Sequence, residues 1–346
     1  MIKFDLSAMN QTFTASAVER LQKFLQKDNR KNEIESLTPD ASTREYFRIL
    51  WNDSTAIACV YPESFSSAEQ NYIDATNLFL VGGLPVSKIF DFSENLGVIV
   101  QEDFGDRILR DVLHESSASE KENLLSEAII LIAKIQAATP KAFELDSIAS
   151  RLSFDEEKLL WELNFFKTHY FESLLKQSLS TAENHDLTAE FAELARELEK
   201  HAKVLCHRDF HAANLMIDRE NRLRIIDYQD ARIGAASYDL VSLLLDRVLE
   251  APAENWLDEK IRFFLLEREK LGLEKIVFED FLAEFRLQTI QRCLKAIGTF
   301  SFQTANRGKT NYIQYIKPML RIVLQAAENL QKFPSLQNIV KKELNK

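Results

Sequence analysis

His207-Arg208-Asp209-Phe210-His211-Ala212-Ala213-Asn214 is the stretch on which the reading of this chain turns. Thirteen residues past Asn214, Asp227 ends the apolar run Leu223-Arg224-Ile225-Ile226. Short β-prone segments surround both: Val204–Cys206, 214–217 and 223–226. The pattern predicts a β-rich island in which one loop carries Asp209 and Asn214, and a hairpin brings Asp227 back to the same wall.

Those residue types at that spacing suit phosphoryl transfer. The reaction needs a carboxylate beside the attacking hydroxyl and a divalent cation to neutralise charge on the moving phosphate. One Asn and one Asp can hold Mg²⁺ through hard oxygen atoms, with nucleotide phosphates and water completing the shell. Asp209 is therefore the expected catalytic carboxylate, and Asn214 and Asp227 the expected metal ligands. A free aspartate has a pKa of about 4, so Asp209 orients the hydroxyl and takes its proton late. A positioned base of this kind contributes roughly 10²- to 10⁴-fold. The alternative, two aspartates that merely bracket a hairpin, leaves Asn214 and the spacing unexplained. His207 is expected to orient the loop, Arg208 to pair with a carboxylate, and His211 to be structural or to face substrate.

The residues after Asp227 bear on the acceptor. A protein kinase carries glycine two residues on and then a long segment that docks peptide. Here Asp227-Tyr228-Gln229-Asp230 gives way within eleven residues to Tyr238-Asp239-Leu240 and a helix. A small acceptor is expected, with Asp239 capping the helix it opens.

Working outward, the amino-terminal part alternates short elements: a helix over 14–27, strands at 46–50 and 55–61 around the turn Asn52-Asp53-Ser54, a helix from Ser67 to Val81 stopped by Gly82-Gly83 and Pro85, then strands at 86–92 and 96–101. After residue 103 helices dominate, at 119–138, 154–170 and 188–201 before the island, and at 238–249, 254–271, 278–298 and 310–332 after it. The expected architecture is α+β, a protein-kinase-like two-lobed fold: an N-lobe over residues 1–102 and a helical C-lobe over 103–346, joined by a hinge near Glu102–Asp106 without a flexible spacer.

Composition narrows the function classes. The chain has 346 residues, suited to two lobes, and a net charge of −10, which disfavours a nucleic-acid partner. Cys59, Cys206 and Cys293 show no metal or redox spacing, as expected of reduced thiols in a cytoplasmic protein. No apolar run is long enough to cross a membrane, so none is expected as a partner. No G-x-G-x-x-G occurs. Gly308-Lys309-Thr310 resembles the end of a phosphate loop, but Gln303 stands where its first glycine belongs, so a turn before a helix is expected. Oligomeric state is not legible.

At this level of detail the chain resembles the aminoglycoside phosphotransferase and choline kinase superfamily, and within it the branch of anomeric kinases acting on N-acetylmuramate and N-acetylglucosamine. The resemblance rests on 206–214, on Asp227-Tyr228-Gln229-Asp230-Ala231 with Gly234, and on 238–243. It extends to Asp40-Ala41-Ser42-Thr43-Arg44, to Glu102-Asp103-Phe104-Gly105-Asp106, and to Gln291-Arg292, Lys295, Gly298, Arg307 and Tyr312. It implies transfer of the ATP γ-phosphate to the anomeric hydroxyl of an amino sugar, in cell-wall recycling. It further implies Ser42, Thr43 and Arg44 over the phosphates, Glu102, Asp103 and Phe104 at adenine, and His211, Gln229, Asp230, Arg292, Lys295 and Arg307 toward the acceptor. The lysine that protein kinases carry on their third strand is absent, because Ala58-Cys59-Val60-Tyr61 stands there; Arg44 and Arg48 are the candidates to replace its charge. Three other readings share parts of the pattern: a kinase of the same fold for aminoglycosides or choline, a nucleotide-binding pseudokinase, and a protein kinase. A cationic acceptor calls for carboxylates or an aromatic cage, and a lactyl-bearing sugar calls for a cation.

Overall fold

The computed structural model of the chain describes residues 15–27, 33–37 and 43–346. Its amino-terminal part holds an antiparallel sheet of β1 (Ile34–Leu37), β2 (Glu45–Trp51), β3 (Ser54–Val60), β4 (Ile89–Ser93) and β5 (Val98–Glu102), in the order β1-β2-β3-β5-β4. Asn52, in a left-handed conformation at φ 53°, turns β2 into β3 and sets Trp51 opposite Ser54. That register decides the use of each face. Phe47, Ile49, Trp51, Ala56, Ala58 and Val60 point one way and pack under the helix Ala17–Gln26, whose Leu21, Phe24 and Leu25 complete a small separate core. A reciprocal capping box between Ser16 and Glu19 starts this helix. The opposite face, with Tyr46, Arg48, Ile57, Cys59 and Gln101, roofs a cleft.

The structure corrects two expectations about the sheet. β1 was not expected, because Ile34-Glu35-Ser36-Leu37 is a short, half-polar edge strand without a strong alternating signal. The strand expected from Val86 begins at Ile89, since Val86 instead makes an isolated parallel bridge to Ile225, buried in the larger core. The helix between β3 and β4 runs over Asn71–Val81, and 67–69 form only a single 3₁₀ turn. It belongs to the larger core: Phe79 and Tyr72 stack on Tyr228, each with ring centroids 5.2 Å away.

The rest is mainly helical, around Ala118–Ala137, Glu156–Phe166 continuing as a π-helix to Leu174, Thr181–Glu199, Tyr238–Leu245, Glu254–Lys270, Phe278–Arg307 and Ile313–Leu330. A final helix, Pro334–Leu344, lay beyond the expected elements. The Phe278–Arg307 helix is the central post and outruns its expected end at Gly298. That glycine is no cap; a Cβ there would come within 2.7 Å of the Phe166 Cα, so it permits close contact between two helices. The helix stops at Gly308, in a left-handed C-cap at φ 68°, which is the role of the phosphate-loop lookalike. Within the island, β6 (Val204–Cys206) pairs with β9 (Arg232–Gly234), and β7 (Leu215–Ile217) pairs with β8 (Leu223–Ile225) as a hairpin. β9 was not expected, being only three residues long.

Candidate active site

The loop after β6 is held from beneath by a buried carboxylate. Asp239 accepts the backbone N–H groups of His207 at 2.7 Å and Arg208 at 3.0 Å. It therefore caps the loop and not its own helix, whose N-cap residue Ser237 donates through N and Oγ to Glu284. Burial raises the Asp239 carboxyl above its ordinary range, against the pull of nearby His207 and of the two amides. His207 is fully buried and joins the loop to the end of the β7–β8 hairpin. Its Nδ1 accepts from Asp209 N at 3.3 Å, which puts the ring proton on Nε2, 2.9 Å from the Ile226 carbonyl. Arg208 at φ 86° and Asp227 at φ 63° both occupy the left-handed region that side chains disfavour, at a cost of about 1–3 kcal/mol each. The Arg208 guanidinium lies 3.2 Å from Asp230 and 3.8 Å from Asp209.

On this frame Asp209, Asn214 and Asp227 converge. Asn214 Nδ2 donates to the Asp209 carbonyl at 2.9 Å and to Asp227 Oδ2 at 3.3 Å, which fixes the amide and leaves Asn214 Oδ1 as its remaining acceptor. Gln229 Nε2 donates to Asp227 Oδ1 at 2.9 Å. The Asp209 carboxylate receives Lys295 Nζ at 3.0 Å and the Arg292 guanidinium at 3.4 Å, both from the Phe278–Arg307 helix. Burial alone would push the Asp209 carboxyl up; Lys295, Arg292 and Arg208 outweigh it and hold it well below the usual range. Burial also lowers Lys295, with Asp209 opposing. Arg292 is anchored further by Ser242 Oγ at 2.5 Å and by the Tyr238 ring. Arg292 and Lys295 thus surround the carboxylate itself.

The roof and hinge complete a cleft of about 700 Å³. Cys59, at the place of the missing lysine, faces it, with its thiol pushed up to about 11 by burial. Arg44 reaches across from the start of β2 to within 3.8 Å of Asp227 Oδ1, its guanidinium 5.8 Å from the ring centroids of both Tyr46 and Tyr61. Arg48 points to the hinge, bonding Asp103 at 2.8 Å and Asp106 at 2.7 Å. Of the two candidates for the lysine's charge, Arg44 is the one that stands beside Asp227. At the hinge, the Glu102 side chain pairs with Arg224 at 3.0 Å, and Arg224 in turn covers the ring of buried Phe104. Asp103 also accepts the Gly105 N–H at 2.9 Å.

The remaining expected site residues scatter more. His211 lines the cleft, 3.8 Å from Asp246, and burial keeps its imidazole below the usual range. Thr43 is exposed, and Ser42 lies outside the described residues. Arg307 is exposed at the far end of the long helix, twelve residues and so roughly 18 Å along the axis from Lys295. The structure does not bring it to Asp209. Sequence reasoning missed Tyr46, Met216 and Ile226, which line the cleft, and Arg247, which enters it because the preceding helix ends at Leu245 rather than Leu249. The alternation Arg44, Tyr46, Arg48 along β2 carried a signal for the first; the two apolar residues and Arg247 carried none.

A five-stranded sheet over a helical lobe, with Asp209, Asn214 and Asp227 together in the cleft between them, is the arrangement of a phosphotransferase of protein-kinase-like fold. The chain matches the phosphotransferase enzyme family over residues 33–273 and belongs to it. It is 30% identical over 274 residues, 79% of each chain, to the N-acetylmuramate/N-acetylglucosamine kinase of Neisseria meningitidis serogroup B. Among solved structures, it resembles a choline kinase from Streptococcus pneumoniae, with a TM-score of 0.57 and 14% identity over 92% of this chain and 100% of that one. An aminoglycoside phosphotransferase solved with ADP bound gives a TM-score of 0.54 and 15% identity over 90% of this chain and 98% of that one.

Proposed function

We propose that the protein transfers the γ-phosphoryl group of ATP to the anomeric hydroxyl of an N-acetylated amino sugar, N-acetylmuramate or N-acetylglucosamine. The observation that carries the phosphoryl-transfer reading is the convergence of Asp209, Asn214 and Asp227 on one wall of the cleft. The sugar comes from the names of the relatives. Around Asp209, Lys295 and Arg292 pair with the carboxylate, and Arg208 lies between it and Asp230.

The sugar oxygen attacks the γ-phosphorus, the bond from that phosphorus to the β,γ-bridging oxygen breaks, and ADP leaves with the electron pair. The hydroxyl proton passes to Asp209. A carboxylate held this acidic is a weak base, so its part is to orient the hydroxyl and to receive the proton once the new bond has largely formed. The donor set suits a hard cation: Asn214 Oδ1 and the Asp227 carboxylate would hold Mg²⁺, whose charge offsets that of the phosphate oxygens. Arg44 supplies the positive charge on the roof side, and the apolar floor of Met216 and Ile226 with the hinge at 102–104 accepts the adenine. The test is ADP release against a panel of both sugars, choline and aminoglycosides. Turnover confined to choline or aminoglycosides overturns the sugar assignment, and no turnover with any hydroxyl acceptor overturns the enzyme.

A further inference from the structure

Building on the proposed sugar kinase, we infer that Arg247 is the specificity-determining cation of the acceptor site, binding a carboxylate carried by the sugar away from the reacting hydroxyl. The sequence offered Arg292, Lys295 and Arg307 for that task. The structure sets the first two against Asp209 and leaves the third exposed at the end of its helix. Arg247 stands differently. The helix Tyr238–Leu245 stops short, and Arg247 takes a left-handed backbone at φ 54°, a region that side chains disfavour. That turn delivers its guanidinium into the cleft that also holds Asp209, His211 and Gln229.

Arg247 makes no hydrogen bond among the described residues, and its buried Nε is without a partner. Asp246, its nearest anion, stays 3.8 Å away, beyond hydrogen-bond range, and faces His211 at the same distance. The Arg247 guanidinium lies 5.8 Å from the Tyr312 ring centroid, and Tyr312 stacks on Phe300 at 5.0 Å, so the side chain has an aromatic support. A mostly buried guanidinium with unused donors facing a cleft is a receptor for a planar anion, and a carboxylate takes its two parallel bonds. The two proposed sugars differ by a lactyl ether ending in a carboxylate, so one site can be read by comparing them.

The experiment measures kcat/KM of wild type, Arg247→Met and Arg247→Lys with N-acetylmuramate and with N-acetylglucosamine, and KM for ATP. Arg247→Met is expected to shift the ratio of the two sugars tenfold or more toward the neutral one, about the size of one lost charge-assisted bond, and Arg247→Lys is expected to recover part of the shift. An unchanged ratio, or a loss that appears in KM for ATP, overturns the inference while the sugar kinase stands. Wild type inactive on both sugars removes the proposed function and this inference together.

Discussion

The floor and the roof of the cleft are built in opposite ways. On the floor the site residues are tied to one another and to buried groups: Asp239 fixes the loop amides, His207 joins the loop to the hairpin, and Asn214 donates to the Asp209 carbonyl and to Asp227. On the roof, Arg44 and Cys59 hang from one face of a sheet whose other face rests on a small core of its own. The floor is over-determined, and a residue there can be named from sequence because the chemistry dictates its type and spacing. On the proposed mechanism the roof has only to present charge to phosphates, and different side chains can do that, Arg44 in place of a strand lysine.

Breaking the floor has the largest expected effect. Asp209→Ala should lower kcat by roughly 10³-fold or more while ATP binding, followed by calorimetry, survives; comparable turnover by the variant would remove Asp209 from the mechanism. Next comes the charge around it. Because Asp209 is held below the ordinary carboxylate range, it stays ionised as pH falls through about 4, and the acid limb of kcat/KM should lie beneath that value. Lys295→Met removes the largest charge opposing burial, so the limb should move up while kcat falls by about tenfold or more; a limb that does not move would mean that Lys295 does not set the acidity of the base. On the roof, Arg44→Ala should raise KM for ATP about tenfold and leave KM for the sugar nearly unchanged, as the loss of one charge-assisted contact predicts. The smallest effect belongs to Cys59→Ala, expected to change kcat/KM by less than about twofold. A large loss there would show that the strand position of the missing lysine is in use after all, and would erase the contrast between the two walls.

This contrast also sets what could be read beforehand. The loop that carries Asp209 and Asn214, the hairpin that returns Asp227 beside it, and the strands β6, β7 and β8 follow from local spacing and are legible in the sequence. So were the two lobes, because short alternating segments give way to long helical periods near Glu102. The pairing of Arg292 and Lys295 with Asp209 was not, since it joins residues more than eighty positions apart and no local pattern encodes it. Asp239 was recognised as a carboxylate in need of backbone amides but assigned to the wrong ones, because the nearest N–H groups in sequence belong to its own helix. Arg247 escaped because the apolar run after Tyr238 reads as a longer helix than the chain forms.

Tyr228, next to Asp227, has its hydroxyl 2.9 Å from Thr76 Oγ1 and 3.0 Å from the Tyr72 hydroxyl, both on the Asn71–Val81 helix. That helix is therefore riveted to the helical half, though the chain threads it through the other one. If the cleft opens to admit nucleotide, the strands with their Ala17–Gln26 helix swing as a flap, and the Asn71–Val81 helix stays put as the jamb. Hydrogen exchange should then protect its amides in step with the Phe278–Arg307 helix, and protection in step with β2 and β3 instead would show that it travels with the flap.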